Sequence, residues 1–322
     1  MNKTKILFLA LLGGALLAIL FWREPSEDLS REEEPPVQEK KPSEGVPKIF
    51  KASDNKSAKI WNSFKSNRSS PPEKNKSDDE SELFDPLRDR PEQITGVVFP
   101  IRVQGEWETI QGDILISRVD PKKGSLEKVT LEKPKIWEGG VIPYQVSASF
   151  NQFDRVESAM REISESTHIR FLKRKSELDY VEFLEADEHC MSHVGKVGGK
   201  QEILISPSCR AGQITHELLH TLGFFHEQSR WDRDQYVKVL WENIQEPYQD
   251  QFAKLPPLFT HLEESPFDYE SILLYGSFYF SKALHLPTLL KVNGEKITEN
   301  RERLSLWDIE KINRLYEKVQ ED

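Results

Sequence analysis

An α+β domain is the expectation for residues 128–322, and three features of the sequence carry it. Phe153, Val156, Met160 and Ile163 recur at helical spacing, so Phe153–Ser166 reads as an amphipathic backing helix. Ile169–Leu172, Tyr180–Leu184 and Glu202–Ile205 read as short strands. Ser305 and Asp308 form a capping-box pattern that opens a last helix, with Ile309, Ile312, Tyr316 and Val319 as its buried stripe. The order of these elements predicts a mostly strand-built upper half and a helical lower half.

The part before residue 128 has a different composition. Met1–Lys5 carries lysines, and Ile6–Trp22 is an apolar run of about 17 residues, just long enough to span a bilayer. Lysines ahead of such a run stay on the cytoplasmic side, which puts the rest of the chain across the membrane. The run ends Leu20-Phe21-Trp22-Arg23, without the small residues of a cleavage site. Residues 1–22 are therefore read as an uncleaved anchor, with a cleaved signal peptide (secreted or periplasmic product) and a buried core helix as the alternatives. Residues 23–93 are crowded with Glu, Lys, Ser, Pro and Asp and cannot bury enough apolar surface to offset ordering, so a tether is expected. Its apolar island, Ile60, Trp61 and Phe64, reads as isolated residues rather than a docking element. The net charge of −10 and the absence of a basic stripe argue against a nucleic-acid partner.

Cysteine is used twice, at Cys190 and Cys209. An exported chain meets an oxidising environment, which favours a disulfide. A pair of metal-binding or reactive thiols is the alternative.

The chemistry concentrates in residues 216–234, HELLHTLGFFHEQSRWDRD. On a helix, His216 and His220 project from one face a turn apart and can grip one metal ion. Glu217 stands beside them as a general base. Gly223 can end the helix and let the chain turn to deliver His226 as a third nitrogen. Three ligands leave a fourth position for water, the layout of a catalytic zinc site with one ion per chain. By chance H-E-x-x-H alone would occur in roughly one or two of a hundred chains of this length. Gly223 and His226 at their offsets lower that by a further factor on the order of a thousand. Ile214, Leu218, Leu219 and Leu222 supply the face that seats the helix in the core.

The extended string resembles the astacin family of zinc metallopeptidases, within the metzincins. The resemblance covers roughly residues 128–322 and includes Trp137–Tyr144 (WEGGVIPY), Thr167–Phe171 (THIRF), Cys190–Gly199, Phe267–Gly276 (FDYESILLYG) and Leu304–Tyr316. It implies a metzincin-like fold whose two halves flank an active-site cleft, with peptide bound extended along an upper edge strand. It implies a Cys190–Cys209 bridge, Tyr275 as a resting zinc ligand that swings to stabilise the oxyanion, and Glu227 as partner of a new N-terminus. Two departures stand out. Leu273 and Leu274 occupy the family's Met and His positions in the turn beneath the metal, and His168 replaces a cysteine of the second disulfide. Leucine for methionine keeps an apolar floor at a cost usually under about 1.5 kcal/mol.

Upstream, Ile110–Ile114 (IQGDI) resembles the family's inhibitory motif, in which Asp113 would fill the open position on zinc. Residues 94–127 are then a propeptide, with Ile94–Val103 packing as its remainder and a cut near Leu126–Thr130, where Lys128 offers a basic site. The expected protein is a monomeric, membrane-associated zinc endopeptidase of protein substrates, made latent. A catalytically dead binding or adhesion domain of the same fold is the alternative. Family members often prefer an acidic residue after the cleaved bond, but the sequence does not locate a basic group to receive it.

Overall fold

The structure, a computed structural model, describes residues 97–260 and 265–317 together with segments 8–12 and 15–19. Most of the anchor, the whole tether 23–93 with its apolar island, Ile94 and Val319 lie outside the described residues. The first 19 residues contribute two strands, β1 (Phe8–Leu12) and β2 (Ala15–Ile19), paired antiparallel within a unit that covers Met1–Lys48. The sequence reading has this apolar run as one continuous span. In sequence Gly-Gly separates its two stretches, a pattern that favours hairpin pairing. Among the described residues no helix is long and apolar enough to cross a membrane.

The second unit holds everything that follows, Ile49–Asp322. The segment ahead of the peptidase-like part is itself built of strands: β3 (Val97–Pro100), β4 (Arg102–Gln104), β5 (Trp107–Ile110), β6 (Ile114–Arg118) and β7 (Lys128–Leu131). Next come β8 (Val141–Val146), α1 (Phe153–Ser166), β9 (Arg170–Lys173), β10 (Tyr180–Glu185), β11 (Met191–Ser192) and β12 (Lys200–Ile205). The lower half has α2 (Ala211–Thr221), β13 (Val237–Val239), α3 (Pro257–Thr260), β14 (Leu289–Lys291) and α4 (Leu306–Glu317).

Eight strands form one mixed sheet in the order β4-β5-β6-β11-β12-β10-β8-β9. β8, β10 and β12 run parallel with β9 at the edge, while β11 turns back antiparallel to β12. On its other side β11 accepts β6 in parallel, at Ser192 opposite Ile114. The upstream segment thus extends the main sheet across what would otherwise be its edge. Several of its apolar side chains are buried, on both faces. Phe99, Ile110 and Ile114 pack with Phe225, Leu255 and Phe259, and Trp107 and Leu115 pack with Met191 and Leu204. Each large side chain buried this way contributes about 1.5–3 kcal/mol to holding the segment in place.

Behind the sheet, α1 and α2 pack together through Val156, Ala159, Met160 and Ile163 on one helix and Ile214, Leu218 and Leu219 on the other. α2 is 11 residues long and buried from Ile214 to Thr221. A buried helix end leaves carbonyls without intrahelical partners. Trp137 Nε1 donates to Thr221 O and Tyr316 Oη donates to Leu222 O, both at 3.0 Å. Two elements far apart in sequence therefore fix the end of α2 in space. Gly223 then adopts φ +104°, a conformation glycine takes without strain, and turns the chain away. At α4 the capping box is reciprocal: Asp308 N donates to Ser305 Oγ at 2.9 Å, and Ser305 N donates to Asp308 Oδ2 at 3.1 Å. Cys190 and Cys209 form a disulfide with Cα atoms 6.2 Å apart, tying the start of β11 to the residue before the N-cap of α2.

Candidate active site

His216 and His220 stand one turn apart on α2, and the turn after Gly223 brings His226 to the same point. His216 Nδ1 donates to Ile272 O and His220 Nδ1 to Phe224 O, both at 2.7 Å. These bonds fix the tautomers, so both Nε2 atoms carry lone pairs. They nevertheless face one another at 3.1 Å. Two acceptors at that distance repel unless a cation lies against both. His226 Nε2 and Asp113 Oδ1 are buried there as well, without a hydrogen-bond partner. Asp113 Oδ2 is 3.3 Å from His216 Nε2, and Asp113 Oδ1 is 3.3 Å from His226 Nε2 and 3.7 Å from His220 Nε2. The four ligand atoms lie within 4.8 Å of one another. Three imidazoles and a carboxylate oxygen are a donor set that zinc accepts, and the orphaned lone pairs fit such an ion.

Asp113 reaches this point from the loop between β5 and β6. Gly112, at φ +87°, passes so close to the opposite wall that a Cβ would lie 3.3 Å from Phe280 Cζ. Tyr275 Oη donates to Gln111 O at 2.7 Å, and its ring centroid lies 4.6 Å from that of His226. The phenol is thus bonded to the upstream segment beside the histidines. Leu273 and Leu274, the departures in this turn, are both buried.

Glu217 is buried, and Ser192 Oγ bonds both its Oε2 at 3.0 Å and its carbonyl at 2.8 Å. Sequence reasoning missed Ser192. It sits on a two-residue strand that carries no periodic signal. It also missed Arg301, whose half-buried guanidinium donates to Ile272 O and, at 3.2 Å, to Tyr279 Oη. Arg301 Nη1 also lies 2.8 Å from His216 Nδ1, a close approach of two donors rather than a hydrogen bond, given the tautomer above.

The environment sets the protonation states. Burial, then repulsion from Arg301, lowers His216 to about 4, which keeps the imidazole neutral and able to ligate. Burial likewise pushes His220 well down. Burial raises the Asp113 carboxyl, but its position among the three imidazoles outweighs this, and the net shift is well downward. Glu217 is pushed well above the usual carboxylate range by burial and then by Asp113, as suits a proton acceptor. A cleft of about 1060 Å³ opens over these groups, lined by His216, Glu217, Tyr275 and Arg301 and crossed by Gly112 and Asp113.

Glu227 lies apart from the cleft. Its Oε2 accepts from Lys311 Nζ and its Oε1 from Asp268 N. Lys128 lies in β7, opposite Pro100 of β3.

Three imidazoles, a helix-borne glutamate and a tyrosine at one point of a deep cleft define a zinc-dependent hydrolase site. A family model described as Astacin, a peptidase family, matches residues 129–317. Zinc metalloproteinase nas-4 of Caenorhabditis elegans is 38% identical over 218 residues, covering 64% of this chain and 68% of its own length. Zinc metalloproteinase nas-6 of the same nematode is 37% identical over 224 residues, covering 66% of this chain and 64% of its own. High choriolytic enzyme 1, a hatching enzyme zinc-protease of medaka (Oryzias latipes), is similar in structure, with a TM-score of 0.53 and 38% identity. The match covers 57% of this chain and 94% of that one. The chain belongs to the astacin family of zinc metallopeptidases. It spans about two-thirds of the length of nas-4 and nas-6.

Proposed function

We propose that this chain is a zinc endopeptidase made as a latent precursor, exported, tethered to a membrane through residues 1–22 and active as a monomer. The observation that carries latency is Asp113, whose carboxylate oxygens lie 3.3 Å from His216 Nε2 and from His226 Nε2. His216, His220 and His226 would hold one zinc ion, with Asp113 on its fourth side in the precursor. When bound, the ion supplies an acidified water and a polarised scissile carbonyl.

The chain's own groups do the rest. Asp113 excludes water from the place where it would react. Once Asp113 leaves, Glu217 takes the water proton and returns it to the leaving amine, its carboxylate oriented by Ser192. Tyr275, freed from Gln111 O, is left with a phenol able to donate to the oxyanion that develops on the carbonyl. Arg301, half-buried in the wall of the cleft, supports a preference for an acidic side chain next to the cleaved bond. The buried Leu273 and Leu274 preserve an apolar floor, which favours a working enzyme over a dead binding domain.

The test uses protein trimmed near residue 128, with zinc content and casein turnover as readouts. Glu217→Gln should retain zinc and lose turnover. Peptidase activity retained in that variant would remove Glu217 from the mechanism.

A further inference from the structure

Among the residues that the upstream segment brings to the cleft besides Asp113 is a cation, Arg102. Arg102, on β4, points its Nη2 at Asp250 Oδ1 with a distance of 2.6 Å. The same guanidinium lies over the ring of Tyr248, 4.8 Å from its centroid. The other Asp250 oxygen accepts from Gln251 Nε2 at 2.9 Å, which holds the carboxylate with Oδ1 toward the guanidinium. A carboxylate in line with an aromatic face is a seat for a guanidinium, through charge, hydrogen bonding and the ring quadrupole together.

The seat opens on the cleft, which Arg102 and Tyr248 both line. Tyr248 lines the cavity that holds His216 and Glu217. Its ring stacks on Phe280, with centroids 4.8 Å apart and planes at 18°. Phe280 is in turn the wall against which Gly112 passes, one residue before Asp113. The aromatic pair therefore runs from the metal-facing loop to the Arg102 seat. Gln104 Nε2 donates to Gly112 O at 2.6 Å, so Arg102 and Asp113 are held on one folded piece of chain. They occupy the cleft together and must leave it together.

Resting on the peptidase reading above, we propose that Tyr248 and Asp250 form a substrate subsite for a basic side chain, arginine first, which Arg102 fills in the precursor. When the segment departs, the seat is empty; Asp250 has 16% of its side-chain surface exposed with Arg102 in place, and the departure of Arg102 opens the carboxylate further to whatever enters the cleft. Burial raises the Asp250 carboxyl, and the Arg102 charge is the strongest influence opposing it. A carboxylate that loses such a partner gains most from another guanidinium in the same place.

The experiment profiles trypsin-trimmed, zinc-replete enzyme on a peptide library. It then compares matched peptides carrying arginine or citrulline at the preferred position. Citrulline keeps the shape and removes the charge. The parent should favour arginine by about tenfold in kcat/KM, equivalent to about 1.4 kcal/mol, mainly through KM. In Asp250→Asn that ratio should fall to near one, and in Tyr248→Leu it should fall partway. A ratio near one in the parent overturns the proposal and leaves Arg102–Asp250 as a latch of the precursor. A tenfold ratio that survives in Asp250→Asn overturns it as well. The parent comparison needs no variant, so a variant that fails to fold does not block the test. Hydrolysis of neither peptide nor casein would instead refute the peptidase reading on which this subsite rests.

Discussion

Glu227 Oε2 accepts a hydrogen bond from Lys311 Nζ at 2.8 Å, and both side chains are at most 4% exposed. The carboxylate that the family resemblance assigns to a new N-terminus therefore already has an internal ammonium. Arg230 Nη1 lies 3.4 Å from its other oxygen. Lys311→Met should destabilise the protein by about 3 kcal/mol, because one member of a buried pair is left uncompensated. Urea titration measures this. Trimmed proteins that begin at Gly124, Lys128 or Lys133 should have the same melting temperature and casein turnover if Lys311 suffices. A turnover that depends on which of these starts the protein has would return Glu227 to the terminus.

Asp113→Ala in the full chain should raise casein hydrolysis by about tenfold without any cut. The rise stops short of full activity because Phe99, Ile110 and Ile114 still hold the segment over the cleft. If this variant stays silent while the trimmed parent is active, coverage of the cleft is what inhibits, and the aspartate is not the inhibitory ligand.

Within the folded part, from residue 97 onward, limited trypsin should cut first at Lys122 or Lys123, ahead of the basic site at Lys128. Both lysines are exposed in a turn closed on Asp120, whereas Lys128 is paired in β7. A protease needs several residues of free backbone, and loop tips supply it. Mass spectrometry of the earliest products reads the outcome; a first product starting at Val129 would contradict it.

Asp308 gives a pH dependence with a definite sign. Burial pushes its carboxyl up to about 6, from an ordinary 3.8. A raised carboxyl binds its proton in the folded chain before the unfolded one does, so its contribution to stability grows as pH falls from about 6 toward about 4. Two pH units correspond to about 3 kcal/mol. The melting temperature of the parent relative to Asp308→Asn should therefore rise from pH 7 to pH 5. A constant difference across that range would show that Asp308 titrates normally.

The parts legible in the sequence were those written in local periods. The backing helix was read at Phe153–Ser166, its observed bounds. The histidine motif specifies its own geometry, because i, i+4 spacing and a helix-ending glycine leave few ways to arrange three imidazoles. Long-range partners left no such trace. Ser192 meets Glu217 from 25 residues away and Arg301 meets His216 from 85. The strands of the upstream segment escaped notice for a similar reason. Arg102, Val103 and Gln104 look like loop until β5 and β6 pair beside them.

The contact between Ile114 and Ser192 has a cost after activation. The sheet has eight strands, and departure of β4, β5 and β6 would leave five, with one edge of β11 carrying unpaired backbone donors and acceptors. Such a rim welcomes any extended polypeptide, and a second molecule offers one as readily as a victim does. The freed enzyme should therefore become more prone to self-association as its concentration rises, and a bound peptide inhibitor should suppress this. Light scattering before and after trimming would register it. The segment proposed to silence the enzyme would then also be what keeps it soluble.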